Sequence, residues 1–393
     1  MNRILFITTR NIFNTCGELR LIKNRTKALY ENWNVVTDFI AINNRKKINS
    51  KNEEIGSGST ITVIPCNNYN VVSIYNAFNK SKKLLSRLFI NNHYKCVILS
   101  GIGTFSLAPF IKEINNDIPI VADIHSAKEE LLEFNKGNLI KKIYRTLMYS
   151  YIKYSESKYL NQLDGALVVS NALAEYLNKE YHLNNFKHYV VPCYIENNYS
   201  LEKRLFNREK YRTKYNIEPD ELLFIYSGGT SPWQCINESI KIFLSIKSDI
   251  PEKSKMLILS HNIEEIKPMI NNCSDILTDS VNANEVNHIL CAGDFAFLIR
   301  ENFVTNNVAY PNKFLEYVQS GMMIITTPYV FDVAKQVEEF GLGIIIDFNN
   351  YKEKILDYIS RGKKEIDDKR ENLLNRLNYS ETLQKFVYDN KLL

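Results

Sequence analysis

At 393 residues the chain is longer than one hydrophobic core usually serves and suits two domains of about 200 residues each. Hydrophobic residues at 45% and charged residues at 24% are those of an ordinary globular protein, which excludes disorder and fibrous architectures. The net charge of +5 hides an asymmetry: residues 1–200 carry 25 basic against 16 acidic side chains, and residues 201–393 carry 24 against 28.

Without an arginine-rich block or a nucleic-acid motif, the basic half points to an anionic surface or a phosphorylated acceptor rather than to nucleic acid. A solvated lysine-rich face would carry the same charge. Seven cysteines, Cys16, Cys66, Cys96, Cys193, Cys235, Cys273 and Cys291, are scattered, odd in number and without a CxxC pair. That pattern argues against a disulfide framework or structural zinc and predicts a reducing cytoplasm. MNRILFITTR runs directly into a strand pattern and reads as a mature start without a signal peptide. The longest charge-free apolar stretch, residues 96–111, is broken by Gly101, Gly103 and Pro109, so no transmembrane segment is expected.

In chain order, strand-length apolar runs alternate with helix-period segments: ILFITT, helix 17–31, VVTDFIAI, TITVIP, helix 72–92, CVILSG, helix 105–115, PIVADIH, a long helical stretch 127–160, GALVVS, helix 171–181 and HYVVP. Strands joined by helical crossovers predict a parallel sheet covered on both faces. The polar stretch ENNYSLEKRLFNREK after Pro192 predicts a linker and the opening helix of a second domain. LLFIYSG, MLILS, FAFLIR, MIITT and GIIIDF then read as strands, with helices near 234–247, 263–270, 284–291, 312–320, 330–340 and 351–359. From Arg361 onward, Leu373, Leu374, Leu377, Leu383, Phe386 and Val387 predict an amphipathic closing helix. Domain limits of 1–197, 198–375 and a final helix 376–393 follow. Two doubly wound α/β domains in tandem predict ligand binding in a cleft at the carboxyl ends of their strands.

Four segments carry candidate chemistry. In RENFVTNNVAYPNKFLEYVQSGMMIITTP, residues 300–328, Pro311 and Asn312 open a helix whose free N–H groups favour an anion. Lys313 and Glu316 share a face of its first turns, where a carboxylate can accept ribose hydroxyls and Lys313 or Arg300 can neutralise phosphate. The same spacing suits a surface ion pair before the C-capping Gly321. In YSGGTSPWQ, Gly228 and Gly229 follow a strand and let backbone N–H groups approach a diphosphate, or make an ordinary turn. VADIHS sets Asp123, His125 and Ser126 at a strand's carboxyl end, as catalytic groups or as structural ones. TCGELR places Gly17 and Arg20 at the start of a helix after the first strand, for ligand contact or as a tight turn. No GxGxxG follows the first strand, and there is no P-loop, HExxH, GxSxG or DxD triplet, which argues against dinucleotide binding, ATP hydrolysis and a metal-held sugar nucleotide.

At these residues the sequence resembles the retaining glycosyltransferases of family 4, of the bacterial surface-polysaccharide type. VAYPNKFLEYVQSGMMIIT is similar to the family's Pro-x-Lys-Phe pattern with Glu-Tyr on the helix, then Gly and an apolar strand. DIHSAKEE, SESKYLNQLDGALVVSNALAEYL, VVPCYIE and YSGGTSPWQ follow in the family's order and span nearly the whole chain. The resemblance implies a GT-B fold: two Rossmann-like doubly wound domains facing a cleft, an N-terminal acceptor side, a C-terminal nucleotide-sugar side, and a last helix crossing back to the N-terminal domain. It also implies transfer of a sugar from a nucleotide diphosphate, UDP in the first instance, to a glycan or lipid-linked acceptor in surface polysaccharide or glycoconjugate synthesis. The enzyme would be a hexosyltransferase working without metal or other cofactor, cytoplasmic and in peripheral contact with the inner membrane face.

Carried over by residue, Glu316 would bind the donor ribose, Gly17 and Gly228–Gly229 the diphosphate, and His125 with Asp123 would stand at the reacting centre. Arg300 and Lys313 would add donor-binding charge, and Arg20 would meet the acceptor. Two departures stand out: Val308 replaces a glutamate common in the family, and residues 230–234 lack the family's Arg and Lys. They favour the alternative of a non-catalytic GT-B-like protein that binds glycan or supports a partner transferase.

Overall fold

Short runs of Ile, Val, Leu and Phe bury both faces of a strand only when helices cover the sheet above and below, and crossover helices make neighbouring strands parallel. A computed structural model shows this twice. It describes residues 2–11, 17–43, 49–51, 58–67, 71–101, 103–135, 137–183, 186–194, 199–250, 253–361 and 367–393. The chain divides into two units, Met1–Tyr194 with Leu377–Leu393, and Ile195–Arg376. Residues 196–198 of the expected linker, and Thr15 and Cys16 of TCGELR, lie outside the described residues.

In the first unit, β1 (Asn2–Thr8), β2 (Val35–Asn43), β3 (Asn49–Lys51), β4 (Thr60–Pro65), β5 (Tyr94–Ser100), β6 (Ile120–Ile124), β7 (Gly165–Val168) and β8 (Lys187–Val190) form one sheet in the order β3-β4-β2-β1-β5-β6-β7-β8. All pairs are parallel except the edge strand β3, which runs antiparallel to β4. The register sets Thr8 beside Ser100 and Ser100 beside Asp123, one row across the carboxyl ends of β1, β5 and β6. In the second unit, β9 (Leu222–Ser227), β10 (Ser254–Leu259), β11 (Ile276–Asp279), β12 (Phe295–Leu298), β13 (Met323–Thr326) and β14 (Gly343–Ile345) are all parallel, in the order β11-β10-β9-β12-β13-β14. Each order reverses once, between β1 and β5 and between β9 and β12. At such a switch point the following loops diverge and leave a crevice.

Local chemistry explains several helix ends. Ser170 accepts from the Leu173 N–H and starts the helix Asn171–Tyr181, and Ser200 accepts from the Lys203 N–H at the start of Leu201–Lys214. The expected long helix 127–160 is broken instead. Gly137 takes a left-handed φ of 128° and Asn138 caps a new helix, Leu139–Tyr159, leaving only the short turn Glu130–Glu133 before it. The closing helix also differs from expectation. Asp367–Arg376, carrying Leu373 and Leu374, belongs to the second unit, whereas Tyr379–Thr382 and Gln384–Asp389 belong to the first. The side chain of Asn378 accepts from the Ser380 N–H, restarting the chain rather than continuing it. In the first unit the Phe386 ring meets Tyr189 edge-on at 5.4 Å, and the Asn2 side chain donates to Leu392 O at 2.8 Å.

The second unit is fastened at its base by Asp294, buried just before β12. Its Oδ1 accepts from Arg208 Nη2 at 2.7 Å and its Oδ2 from Leu223 N at 2.9 Å and Arg212 Nη1 at 3.3 Å, joining the helix Leu201–Lys214 to β9. Removing the carboxylate leaves the buried Arg212 without its counter-charge. Asp294→Ala should therefore cost about 3–5 kcal/mol, the usual penalty for breaking a buried pair from one side. Chemical denaturation of the variant beside wild type measures it; a change under about 1 kcal/mol, the scale of an exposed pair, would refute the fastening.

Candidate functional site

Both switch points gather the polar residues that the sequence singles out. In the first unit, Gly17 begins the helix Gly17–Trp33, with Arg20 exposed on its first turn. Two turns further, Arg25 turns inward and its Nη1 donates to Asp123 Oδ1 at 2.8 Å, while its Nη2 bonds Val191 O. The other oxygen of Asp123 accepts from Ser100 Oγ at 3.1 Å and lies 2.8 Å from His125 Nε2. Burial works against ionisation of Asp123, but His125, Arg25 and Ser100 outweigh it and hold the carboxyl below its usual range. Asp123 and His125 are thus brought together, and Asp123 is engaged on both oxygens.

A pocket of about 250 Å³ opens at this knot, lined among others by Ser100, Gly101, His125, Ser126, Lys128 and Glu156. Gly101 has φ +90° and a Cβ there would come 2.3 Å from Thr9 Oγ1, so the two loops meet only because the side chain is absent. Lys128, wholly buried, donates to Tyr176 Oη at 2.6 Å and Glu180 Oε1 at 3.0 Å, and lies 3.2 Å from Glu129 Oε1. Rings of Tyr149, Tyr176 and Tyr181 surround its ammonium at 4.9–5.8 Å. Beside it, burial pushes Glu156 up to about 7, although the Tyr181 hydroxyl donates to it and Lys128 attracts its charge.

The second unit assembles all its predicted residues into one cluster. Gly228 and Gly229 follow β9, and the Gly229 N–H donates to Gln234 Oε1 at 2.9 Å. A Cβ on Gly228 would sit 2.2 Å from the same Gln234 oxygen. Arg300, two residues past β12 and buried, donates to Gln234 O at 3.2 Å and Ile299 O at 2.8 Å. Its charge braces the glycine loop from inside. Pro311 stands one residue outside the helix Asn312–Ser320, which ends at Gly321 with φ +83°. From its first turns, Lys313 Nζ donates to Glu316 Oε2 at 2.8 Å and to Ser227 Oγ at 3.1 Å. Tyr317 Oη accepts from the Ser227 N–H at 3.0 Å and fixes the helix against the end of β9. Val308 is buried, so that position packs rather than recognises.

Arg25, Ser100, Ser227, Gln234, Tyr317 and Glu156 are absent from the residues chosen on sequence. Arg25 and Asp123 lie 98 positions apart, and no local pattern signals such a contact. Ser227 and Tyr317 had a weak signal, as neighbours of Gly228 and Glu316. Among the described residues, no three His, Cys, Asp or Glu side chains group as a metal site.

Glu156 gives the first site a testable pH dependence. A carboxyl raised from 4.5 to about 7 in the folded state stabilises the protein fully below pH 4.5 and loses that contribution as pH rises through 7. Glu156→Gln cannot ionise. Its Tm should match wild type near pH 4.5 and exceed it by several degrees at pH 8, and parallel Tm curves across that range would show that Glu156 does not titrate there.

No protein-family model matches the chain, and no curated protein sequence does. Solved structures are similar over its full length. A glycosyltransferase from Rickettsia africae ESF-5 superposes with a TM-score of 0.70 at 14% identity, covering 99% of this chain and 98% of that one. Sucrose-phosphate synthase from Thermosynechococcus elongatus gives 0.66 at 11% identity, covering 100% and 99%. Anabaena Alr3699/HepE in complex with UDP gives 0.65 at 10% identity, with both chains fully covered. At such identities the likeness is one of fold, and together with the two doubly wound parallel sheets it shows that this chain has the GT-B fold.

Proposed function

We propose that the protein is a retaining, metal-independent glycosyltransferase that takes a sugar from a nucleoside diphosphate, UDP in the first instance, to a glycan or lipid-linked acceptor. The observation that carries this reading is the cluster of the second unit. A buried carboxylate, Glu316, sits one helical turn from the cation Lys313, at a helix N-terminus and beside the glycine loop that follows β9. Glu316 would accept the ribose hydroxyls. The N–H groups of Gly228 and Gly229, the helix N-terminus and Lys313 would meet the diphosphate, whose developing charge needs fixed donors rather than mobile water. The neighbours of known fold support the choice of nucleotide, since Alr3699/HepE was solved with UDP and also with UDP and glucose.

In the first unit His125 would face the donor sugar, with Asp123 as its positioning group, while Gly17 lies by the diphosphate and Arg20 serves the acceptor. The bond from the anomeric carbon to the diphosphate oxygen breaks as the acceptor oxygen bonds to the same face. The acceptor proton passes to the departing diphosphate, so no protein nucleophile is required. A hexose is the expected sugar, and surface polysaccharide or glycoconjugate synthesis the expected setting, with the protein at the cytoplasmic face of the membrane.

Two observations favour a non-catalytic, glycan-binding or scaffold reading: Val308 is buried, and the Arg300 guanidinium bonds backbone carbonyls, which leaves the half-buried Lys313 as the cluster's principal cation for a ligand. A thermal-shift panel of UDP, GDP, CDP and ADP with their sugar conjugates separates the two. At a hundred times its dissociation constant a ligand adds about 2.7 kcal/mol, several degrees for units of this size. UDP or its sugar conjugate should shift wild type and not Glu316→Ala, and His125→Ala should keep the shift while losing sugar transfer. If no nucleotide shifts the folded wild type, the scaffold reading replaces the transferase.

A further inference from the structure

A strand that ends in two glycines leaves an open face, because neither residue carries a Cβ, and a backbone N–H on that face is a ready partner for a phosphate oxygen. After β9 that face is filled by a side chain of the protein itself. The carboxamide oxygen of Gln234 accepts from the Gly229 N–H at 2.9 Å, and it lies 2.2 Å from where a Cβ of Gly228 would be. The Tyr226 hydroxyl, which donates to Gly229 O at 2.7 Å, stands 3.2 Å from the same oxygen. A neutral amide oxygen thus holds the position that a diphosphate oxygen on Gly229 would take.

Local sequence explains how the amide reaches back over the loop. Pro232 opens a single 3₁₀ turn, Pro232–Gln234, in which the Gln234 N–H donates to Ser231 O at 2.8 Å. Cys235 then takes a left-handed φ of 50° and the helix Ile236–Ile246 follows. Arg300 Nη1 donates to the Gln234 carbonyl at 3.2 Å and Thr230 Oγ1 is bonded to Glu265, so the loop is fastened at both ends. The Gln234 side chain is only half-buried and can rotate away without disturbing these anchors.

Charge decides which oxygen wins. A hydrogen bond from an N–H to an anionic phosphate oxygen is about twice as strong as one to a neutral amide, and the buried Arg300 guanidinium lies behind the loop. We infer that Gln234 is a latch on the glycine loop: its amide oxygen occupies the diphosphate's place, keeps the Gly229 N–H paired, and is displaced when the diphosphate binds. The apparent affinity for the diphosphate is then scaled by the fraction of molecules whose latch is open. The identity of the ligand as a sugar donor rests on the transferase reading, whereas the competition between Gln234 and an anion does not.

Isothermal titration calorimetry of UDP, uridine and inorganic pyrophosphate against wild type, Gln234→Ala and Gln234→Glu tests the latch. Removing the amide should tighten UDP and pyrophosphate roughly threefold to tenfold, the contribution of one net hydrogen bond, and leave uridine, which carries no phosphate, unchanged. Gln234→Glu keeps the length of the side chain, holds the N–H with a charged oxygen and repels the anion. UDP and pyrophosphate should therefore bind that variant about tenfold or more weakly than wild type. The latch is overturned, and the transferase reading left standing, if UDP binds Gln234→Ala no more tightly than wild type, or binds Gln234→Glu as tightly as Gln234→Ala. A gain that uridine shares equally also overturns it, since a general loosening of the loop would have that effect. Pyrophosphate tightened by Gln234→Ala while no nucleotide binds either protein keeps the latch and removes the transferase reading. If neither UDP nor pyrophosphate binds any of the three proteins, both fall.

Discussion

Asp123 is the group on which the first unit's site depends. Taking a carboxylate and a guanidinium out of water costs several kcal/mol for each ion, and here the two are paired with each other while the second carboxylate oxygen is engaged by Ser100 and His125. Arg25 comes from the helix after β1, Ser100 from the end of β5 and His125 from the end of β6. One buried oxygen pair therefore ties together the helix after β1 and the ends of β5 and β6. The chemistry of the site follows from this arrangement. A carboxylate committed on both oxygens cannot itself attack or shuttle protons freely, whereas it can fix an imidazole in place. His125 lines the pocket together with Ser100 and Asp123 of the same knot.

The second unit solves the same geometric problem with different residues. Its switch point lies between β9 and β12, and the loop after β9 has two glycines that must be braced from elsewhere. Gln234 does this from one side, accepting from the Gly229 N–H, and buried Arg300 holds the Gln234 carbonyl from below. Tyr317 pins the end of β9 to the helix Asn312–Ser320. Beside this brace stands the Lys313–Glu316 pair, the lysine half-buried and the carboxylate buried, linked to Ser227. An adjacent cation and anion are complementary to a ligand that carries both a phosphate and a diol, and neither alone would distinguish a nucleotide from a simple anion.

Much of the fold was legible because its signals are local. Helices 171–181, 263–270 and 312–320 end where capping residues and apolar period place them. The strands β3 (NSK) and β11 (ILTD) were missed because neither carries the longer apolar run that marked the equally short β7, β12 and β14. Helical composition across 127–160 overrode the two residues that break it, Gly137 and Asn138, although each carries its own stop or start signal. Site residues divided the same way. Gly228, Lys313, Glu316 and His125 stand beside recognisable turns or helix starts, but Arg25, Gln234 and Glu156 act through contacts that exist only after the sheet has closed. Arg300 was read as a charge for ligand and is found bonding carbonyls, since sequence gives a residue's valence but not its direction.

The helix Leu139–Tyr159 shows how such a polar core shapes the surface. Most surface helices are held by apolar burial, which is insensitive to pH and weakly directional. This one presents Ser155 and Glu156 inward, so its attachment depends on hydrogen bonds around Glu156, Tyr181, Lys128, Glu129 and Glu180. Burial raises Glu156 to about 7, while Tyr181 and Lys128 favour its charge and Glu129 and Glu180 oppose it. Near neutral pH the carboxyl is balanced between two protonation states, and the helix has few buried apolar contacts to fall back on. Elements with that profile occupy the low end of local stability. A surface segment anchored mainly through one titratable carboxyl loses part of its attachment when that carboxyl changes charge. Marginal local stability in this helix thus follows from the polar residues, Ser155 and Glu156, that it turns inward.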